Sequence, residues 1–520
     1  MAIITTPDPA TLTSLANVGL ASGITYYVST TGVDTNTGRS VAQAFRTPER
    51  AYRLARPGDV VEILAGTYRP SVDRGFYFRA GGAAGAFCKI KAHGDGEVIF
   101  DSRGFSYGVY FFAGAPYWII EGITIIGGSS YSMKVDARQI RVLSCDISGS
   151  SADTIKFVVG ADDCVVYGCK LHSPASGTNR QGIDCTGGHR LWAARNEVYD
   201  IPDCGLQCKN NARNVVFEEN YVHDMTGAGG RGIQVGQSTG AEWATDPPYE
   251  AYDCVIRNNT LRNIASAALT SASAYGTKIH GNDCRNASHS YQGTLYISNE
   301  AENGQANTNV EVYDNILQCG GSRFPIKVNS DGMSDFSTLT IRDNILWRPD
   351  GTVQISDRDV IKTLTQFQAN RDIRAFNNRA VDPATLSPTL HNHVYQFSGG
   401  LTFNSVPNVV FTKVVKTGWH RYTGTGGLTL AGQTSHSFNR AITTYADLAW
   451  TPPAFNTDGS TLNDLSQYNI YTGSAANALS LLRVLSAPRS SHRVTALAPG
   501  THYFAISAVN AKGKESALSN

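Results

Sequence analysis

One short pattern returns roughly every 24 to 30 residues between residues 117 and 347, and few folds can accommodate it. The clearest copies are Arg195-Asn196-Glu197-Val198-Tyr199-Asp200, Glu219-Asn220-Tyr221-Val222-His223-Asp224, Asn258-Asn259-Thr260-Leu261-Arg262-Asn263, Asp314-Asn315-Ile316-Leu317 and Asp343-Asn344-Ile345-Leu346. Each follows a short β-rich run, such as Arg213-Asn214-Val215-Val216-Phe217, and most precede a glycine turn and another strand, such as Gly232-Ile233-Gln234-Val235. Several short strands per repeat with no helical period read as one coil of a parallel β-helix. An inward amide at one fixed place per coil has a physical reason, because it can satisfy bent backbone and its stacked neighbours. Function should therefore be sought on the outside of a long all-β stack.

Composition agrees with many turns between short strands: Gly is high at 51 residues and charged residues make up only 17% of 520. A net charge of +1 predicts neither nucleic-acid nor membrane attraction, so only local charge is informative. No run reaches the apolar length of a membrane helix. Met1 to Gly23 lacks a basic segment followed by an apolar block, so it reads as a loose lead-in and not as a signal peptide. The expected location is extracellular, after removal of a leader, or a virion tail. The ten cysteines do not read as a disulfide framework. Cys145 and Cys169 take the repeat position of Asn196 and Asn220, while Cys164/Cys254 and Cys185/Cys208 fall at inward strand positions, where a thiol acts as a small apolar side chain. Cys204 and Cys208 cannot converge on a metal without breaking strand alternation.

Four segments follow: a lead-in over 1–23, the β-helix with its caps over 24–380, a β-rich connector over 381–435, and a distinct module over 436–520. The stretch Thr25-Tyr26-Tyr27-Val28, the helix-like Pro48 to Ala55 and Pro57-Gly58-Asp59-Val60-Val61-Glu62-Ile63 resemble the opening of right-handed parallel β-helix proteins that act on carbohydrates. The resemblance is to pectate-lyase-like enzymes and phage tailspike relatives, in which such a helix caps the stack. A cap is expected physically, since an open end exposes strand edges. Thr363 to Ala369 is similar to the short helix that follows the last coil in such proteins. Trp450, Tyr468-Asn469-Ile470-Tyr471 and Leu497-Ala498-Pro499-Gly500-Thr501-His502-Tyr503 resemble a fibronectin type III sandwich, with Trp450 in its core and Tyr503 at its tyrosine corner.

Aligning the coils by their inward aliphatics puts Ile155, Ile183, Leu206, Ile233, Leu269, Leu295 and Ile326 in one buried column. Alternation then turns Lys156, Asp184, Gln207, Gln234, Thr270, Tyr296 and Lys327 outward. Two residues on lie Thr186 and Lys209, and where the strands begin lie Asp153, Gln181, Cys204 and Arg231. With coils about 4.8 Å apart, these groups share one sugar-binding footprint.

The pectate-lyase resemblance implies calcium held against a uronate carboxylate and a Lys or Arg that removes the C5 proton. Such a proton is acidic only when the neighbouring carboxylate is neutralised. On that resemblance Lys209 is the first choice for base and Lys156 the second, Arg231 neutralises the carboxylate, and Asp184, Asp200 and Asp203 are the calcium ligands. The acidic cluster is incomplete, because Cys204-Gly205 follows Asp203. Substrate contacts are expected from Gln207, Gln234, Arg180 and Tyr296, and from Trp243, Tyr249 and Tyr291 on long turns, where a cleft on a rigid stack is walled.

The expected activity is cleavage of an acidic polysaccharide by β-elimination. A glycoside hydrolase or phage depolymerase, monomeric or trimeric, would pair Asp184 with Asp200, Asp203 or Asp224 at about 5 to 9.5 Å. A non-catalytic adhesion protein would only project the stack. His172 and His223 share one repeat position and read as a stacked structural pair.

Overall fold

The structure, a computed structural model, describes residues 9–17, 23–172, 180–225, 227–237, 239, 248–289, 292–299, 305–321 and 323–385. Beyond these it describes 403–405, 414–416, 419–421, 426–428, 444–449, 453, 463–473, 478–487, 491–497, 503–511 and 515–516. Two units separate at Thr385.

In the first unit the chain winds through three long sheets, each receiving one strand per coil. Sheet A has 13 strands, from Thr25–Val28 to Arg374–Phe376. Sheets B and C have 12 strands each, starting at Gly66–Tyr68 and Phe76–Phe78. Pairing is parallel throughout except at the end of sheet C, where Val360–Thr363 folds back on Gln354–Asp357. The interior is a continuous apolar column in which the inward set from Ile155 to Ile326 is fully buried and paired in the expected register. Each such side chain contributes about 1.5–3 kcal/mol of burial.

Between sheets A and B the chain turns through one residue in the left-handed region, as at Arg195, Glu219, Asn258, Asp314 and Asp343. The next residue is the repeated asparagine, and these form a ladder. The backbone N–H and Nδ2 of Asn196 both donate to Oδ1 of Asn220, at 3.1 and 2.9 Å. Asn220, Asn259, Asn282, Asn315, Asn344 and Asn378 continue it rung by rung. Each Nδ2 also reaches a sheet A carbonyl one coil back, as Asn220 does to Ala193 at 3.0 Å. Rungs 39, 33 and 34 residues apart, beside others at 23, 24 and 29, mark coils that carry insertions and explain why the sequence period drifts.

Helix α1 (Pro9–Ala16) lies where a loose lead-in was expected. Its residues Leu12, Leu15 and Ala16 pack on Ile119, Leu143 and Tyr167 of sheet A. The Lys89 ammonium and the Arg141 guanidinium donate to the carbonyls of Ala16 and Leu15, both at 3.0 Å, matching cations to the C-terminal end of the helix. Helix α2 (Pro48–Leu54), capped by Thr47, closes the first coil as its sequence indicates, with Tyr52 stacked on Phe78 at 4.2 Å. Helix α3 (Leu364–Gln368) has a capping box made by Thr363 and Gln366.

All ten cysteines are buried and free. Cys169 occupies the ladder position, its N–H donating to Asn196 Oδ1 at 2.9 Å.

In the second unit Leu465–Gly473 pairs antiparallel with Ser480–Ser486 and Tyr503–Asn510, around a core of Tyr468, Ile470, Leu485, Val494 and Ile506. A four-stranded sheet includes Thr444–Ala449 and Ser491–Leu497. Trp450 lies outside the described residues, as does the side chain of Tyr503.

Candidate functional site

The outward face of sheet C carries the groups singled out by sequence. Register places Tyr77, Tyr110, Lys134, Lys156, Asp184, Gln207 and Gln234 in one column, followed by Thr270, Tyr296 and Lys327. A second column begins each strand: Tyr107 pairs with Tyr131, and Gln181, Cys204 and Arg231 follow Asp153. A glycine comes next in four of these strands, at 108, 182, 205 and 232. A Cβ at Gly182 would meet Val198 Cγ1 at 2.9 Å and one at Gly232 would meet Leu261 Cδ2 at 2.4 Å, so the sharp bend into sheet C needs glycine there. The bend turns the preceding side chain outward.

At the centre sits an ionic triad. The Lys156 ammonium pairs with Asp184 Oδ2 and lies 3.5 Å from Asp153 Oδ2. Asp184 also accepts from the Thr186 hydroxyl at 3.2 Å. Asp153 and Asp184 are 4% and 2% exposed, so two carboxyl groups share one ammonium away from water. Burial, and then the charge of Asp184, raise the Asp153 carboxyl to about 7, against Lys156 and the Gln181 N–H. Burial would also raise Asp184, but Lys156, Lys209 and the Thr186 hydroxyl overrule it and hold this carboxylate below its usual range. Burial opposes the charge on Lys156, yet the two carboxyls win and keep it protonated well above the ordinary lysine range. The Lys156 ammonium is thus held charged between two carboxyls, an arrangement that disfavours it as the second choice of base. Asp153, assigned no role from sequence, is the group that completes the triad.

A second network lies toward the C-terminal coils. Asp203 accepts from Arg231 at 2.7 Å and from Gln181 Nε2 at 2.7 Å, and Arg231 also donates to Gln234 Oε1 at 2.8 Å. The positive charge expected to neutralise a substrate carboxylate is thus already spent on Asp203. Asp200 is an exposed left-handed residue at the turn from sheet B to sheet C, a position shared by Asp224, Asn263 and Asn286. Asp224 accepts from Asn263 Nδ2, and Asn263 from Asn286 Nδ2, both at 2.7 Å. Among the described residues no three His, Cys, Asp or Glu side chains converge as a metal site. Calcium wants six to eight oxygens, whereas Asp184 and Asp203 are each held by a cation of the chain. The donor set among the described residues does not fit calcium.

Lys209 is half-buried, and among the described residues its ammonium makes no ion pair or hydrogen bond. Its turn is fixed by buried Glu250, which accepts from the Asn210 N–H at 2.7 Å and from Thr239 N–H and Oγ1 at 2.9 and 2.8 Å. Arg180 is 8% exposed, and among the described residues nothing bonds to its Nε or Nη1. Gln207 Oε1 and Thr270 Oγ1 are also buried without a partner there. Tyr296 lies in the column, with Asn329 Nδ2 donating to its hydroxyl at 2.8 Å. Tyr249 is packed beside Tyr252 and Tyr275 on a small three-stranded sheet and bonds Thr308 at 2.9 Å. Trp243 and Tyr291 lie outside the described residues. His172 and His223 stack through Tyr199, with ring centroids 4.7 and 5.2 Å apart.

Residues 107–245, which contain the triad and the second network, match the family described as the right handed beta helix region. The fold is a right-handed parallel β-helix. A lacto-N-biosidase of family GH136 from Eubacterium ramulus has a similar structure, with a TM-score of 0.52 and 16% identity over 68% of this chain and 67% of that one. Pectate lyase Pel9A is also found, at 0.41 and 17% over 55% and 80% of the two chains, as is the Dettilon tailspike protein, at 0.39 and 14% over 86% of each. At these identities the likenesses show the fold alone. No curated protein matches the chain in sequence.

Proposed function

We propose that this right-handed β-helix is an enzyme that degrades an acidic polysaccharide laid along the outer face of sheet C. The observation that carries the reading is a pair of carboxyls, Asp153 and Asp184, that share one ammonium and lie on opposite sides of their usual range, Asp153 raised by burial and the charge of Asp184, and Asp184, against its own burial, lowered by Lys156 and Lys209. Two titratable groups pushed apart in this way are suited to act as acid and base at one pH. The geometry favours hydrolysis. Asp153, protonated up to about neutral pH, gives its proton to the leaving glycosidic oxygen, ionised Asp184 attacks the sugar carbon as that bond breaks, and a water then releases the sugar from Asp184 and returns a proton to Asp153. Carboxyls that share one ammonium nitrogen are nearer the separation of about 5–5.5 Å used by retaining glycosidases than the wider one of inverting enzymes. Lys156 orients both, and the glycosidic oxygen must displace its ammonium to reach them.

A second reading, β-elimination, rests on Lys209. Its ammonium is not paired within the described residues, so its amine is the group left to take a C5 proton. The two chemistries leave different products: elimination makes an unsaturated uronate that absorbs in the ultraviolet, and hydrolysis makes a reducing end without it. Assaying both on pectate, alginate, glycosaminoglycans and bacterial capsular polymers decides between them. If Asp153→Asn cleaves at the wild-type rate, the pair is a scaffold and the hydrolytic reading fails.

Ten buried cysteines without a disulfide, with Cys208 and Cys254 sulfurs 3.9 Å apart, fit folding in a reducing cytosol before release, as a virion tail component would undergo. A trimer fits that origin and a monomer fits a secreted enzyme. No described helix is long and apolar enough to cross a membrane.

A further inference from the structure

The same face changes character on the N-terminal side of the triad. Where the later strands present Gln, Thr and Asp, the first three present rings. Tyr77 stacks on Tyr110 at 5.1 Å, Tyr107 on Tyr131 at 6.0 Å with planes 15° apart, and Phe112 is 39% exposed beside Tyr77 and Tyr110. The core does not need them, because Phe76, Phe78 and Phe111 already fill the interior of these strands. Part-exposed rings on a solvent face add little to stability, but they offer flat apolar surface edged with hydroxyls.

Cations frame the rings. Arg74 and Arg79 lie 5.5 and 5.7 Å from the Tyr77 ring and make no ion pair among the described residues. Lys134 lies 4.7 Å from the Tyr110 ring, with its charge met by Asp136. Tyr110 is fixed by its hydroxyl, which donates to Asp136 at 2.5 Å. The platform runs directly into the triad: Tyr110, Lys134 and Lys156 are consecutive in one column, and Tyr77 is three strand spacings, about 14 Å, from Lys156.

We propose that Tyr77, Tyr107, Tyr131 and Phe112 form a binding platform for several sugar residues of an acidic polysaccharide, with Arg74 and Arg79 meeting its anionic groups. The polymer lies along the helix axis, its pyranose faces on the rings, and is carried across the triad. This rests on the reading of the sheet C face as a polysaccharide site and extends it to an unassigned region.

The test is affinity electrophoresis through gels containing each polymer of the panel, which reads binding without cleavage. It uses the full chain, with light scattering for oligomeric state. Tyr107→Ala and Phe112→Ala should each weaken retardation about tenfold, and Arg79→Ala should do so only for charged polymers, while Tyr275→Ala on the small side sheet should leave it unchanged. Phe112 and Arg79 are exposed, so their variants keep the fold even if Tyr107→Ala does not. If Phe112→Ala and Arg79→Ala bind as wild type while wild type still cleaves, the platform is wrong and the function stands. If wild type neither binds nor cleaves any polymer, the functional reading fails and takes the platform with it. If the variants change subunit number and not binding, the patch is an interface between copies, which overturns the proposal.

Discussion

Two stacks of polar side chains run along the coils, one inside and one on the outer face of sheet C. The inner one repeats a single residue, and from Asn196 to Asn344 each amide donates to the next, ending on Asn378. The outer one changes at nearly every step, pairs opposite charges, and leaves Gln207 Oε1, Thr270 Oγ1 and two nitrogens of neighbouring Arg180 unmatched among the described residues. Coil geometry is the same for both. A column under selection for stability alone converges on one side chain that satisfies itself, whereas a column that must meet another molecule keeps diversity and spare hydrogen-bonding capacity.

The contrast should appear first in rate. Asp184→Asn should lower cleavage by about 100- to 10,000-fold, measured as kcat per folded molecule on the best polymer of the panel. Lys156→Ala should instead strike the fold, by about 3–5 kcal/mol in urea unfolding, because it strands two buried carboxyls without their cation. On the inner stack, Asn282→Ala should cost about 1–3 kcal/mol for the donors and acceptors it orphans, with kcat per folded molecule unchanged. An Asn282→Ala variant that lost activity while keeping stability would erase the distinction between the stacks.

Asp153 sharpens it through pH. Its carboxyl is raised to about 7 in the fold, above the unfolded value of about 3.9. Its contribution to stability is therefore complete below the unfolded value and is lost as pH rises through about 7. Part of the fall in Tm between about pH 4 and 7 should vanish in Asp153→Asn. The wild-type rate should also decline above about 7 as the acid loses its proton. The smallest effect is expected at Tyr249. Tyr249→Phe removes one hydrogen bond to Thr308, worth about 1 kcal/mol, and should leave kcat within about twofold.

Much of this was legible from the sequence because period and alternation are local signals. The asparagine at one place per coil and the outward column from Lys156 to Lys327 follow from counting. Whether a charge is free or spent was not legible. Arg231 and Lys156 look like available cations, but Asp203 meets the first, and Asp184 on the next coil together with Asp153 meets the second. Sequence places Asp153 in the same column as Arg231, but without a role, because its burial beside Asp184 is not visible in the spacing. The rings at Tyr77, Tyr107 and Tyr131 were missed because their coils precede Ile155, where the alignment by inward aliphatics began.

The most direct test of the central claim is a paired assay of reducing ends and ultraviolet absorbance on the polymer panel, with wild type and Asp184→Asn. The account expects reducing ends to accumulate without unsaturated product, and that activity to collapse in Asp184→Asn. Absorbance that rises with wild type and is lost in Lys209→Ala would contradict it and move the chemistry to the lysine.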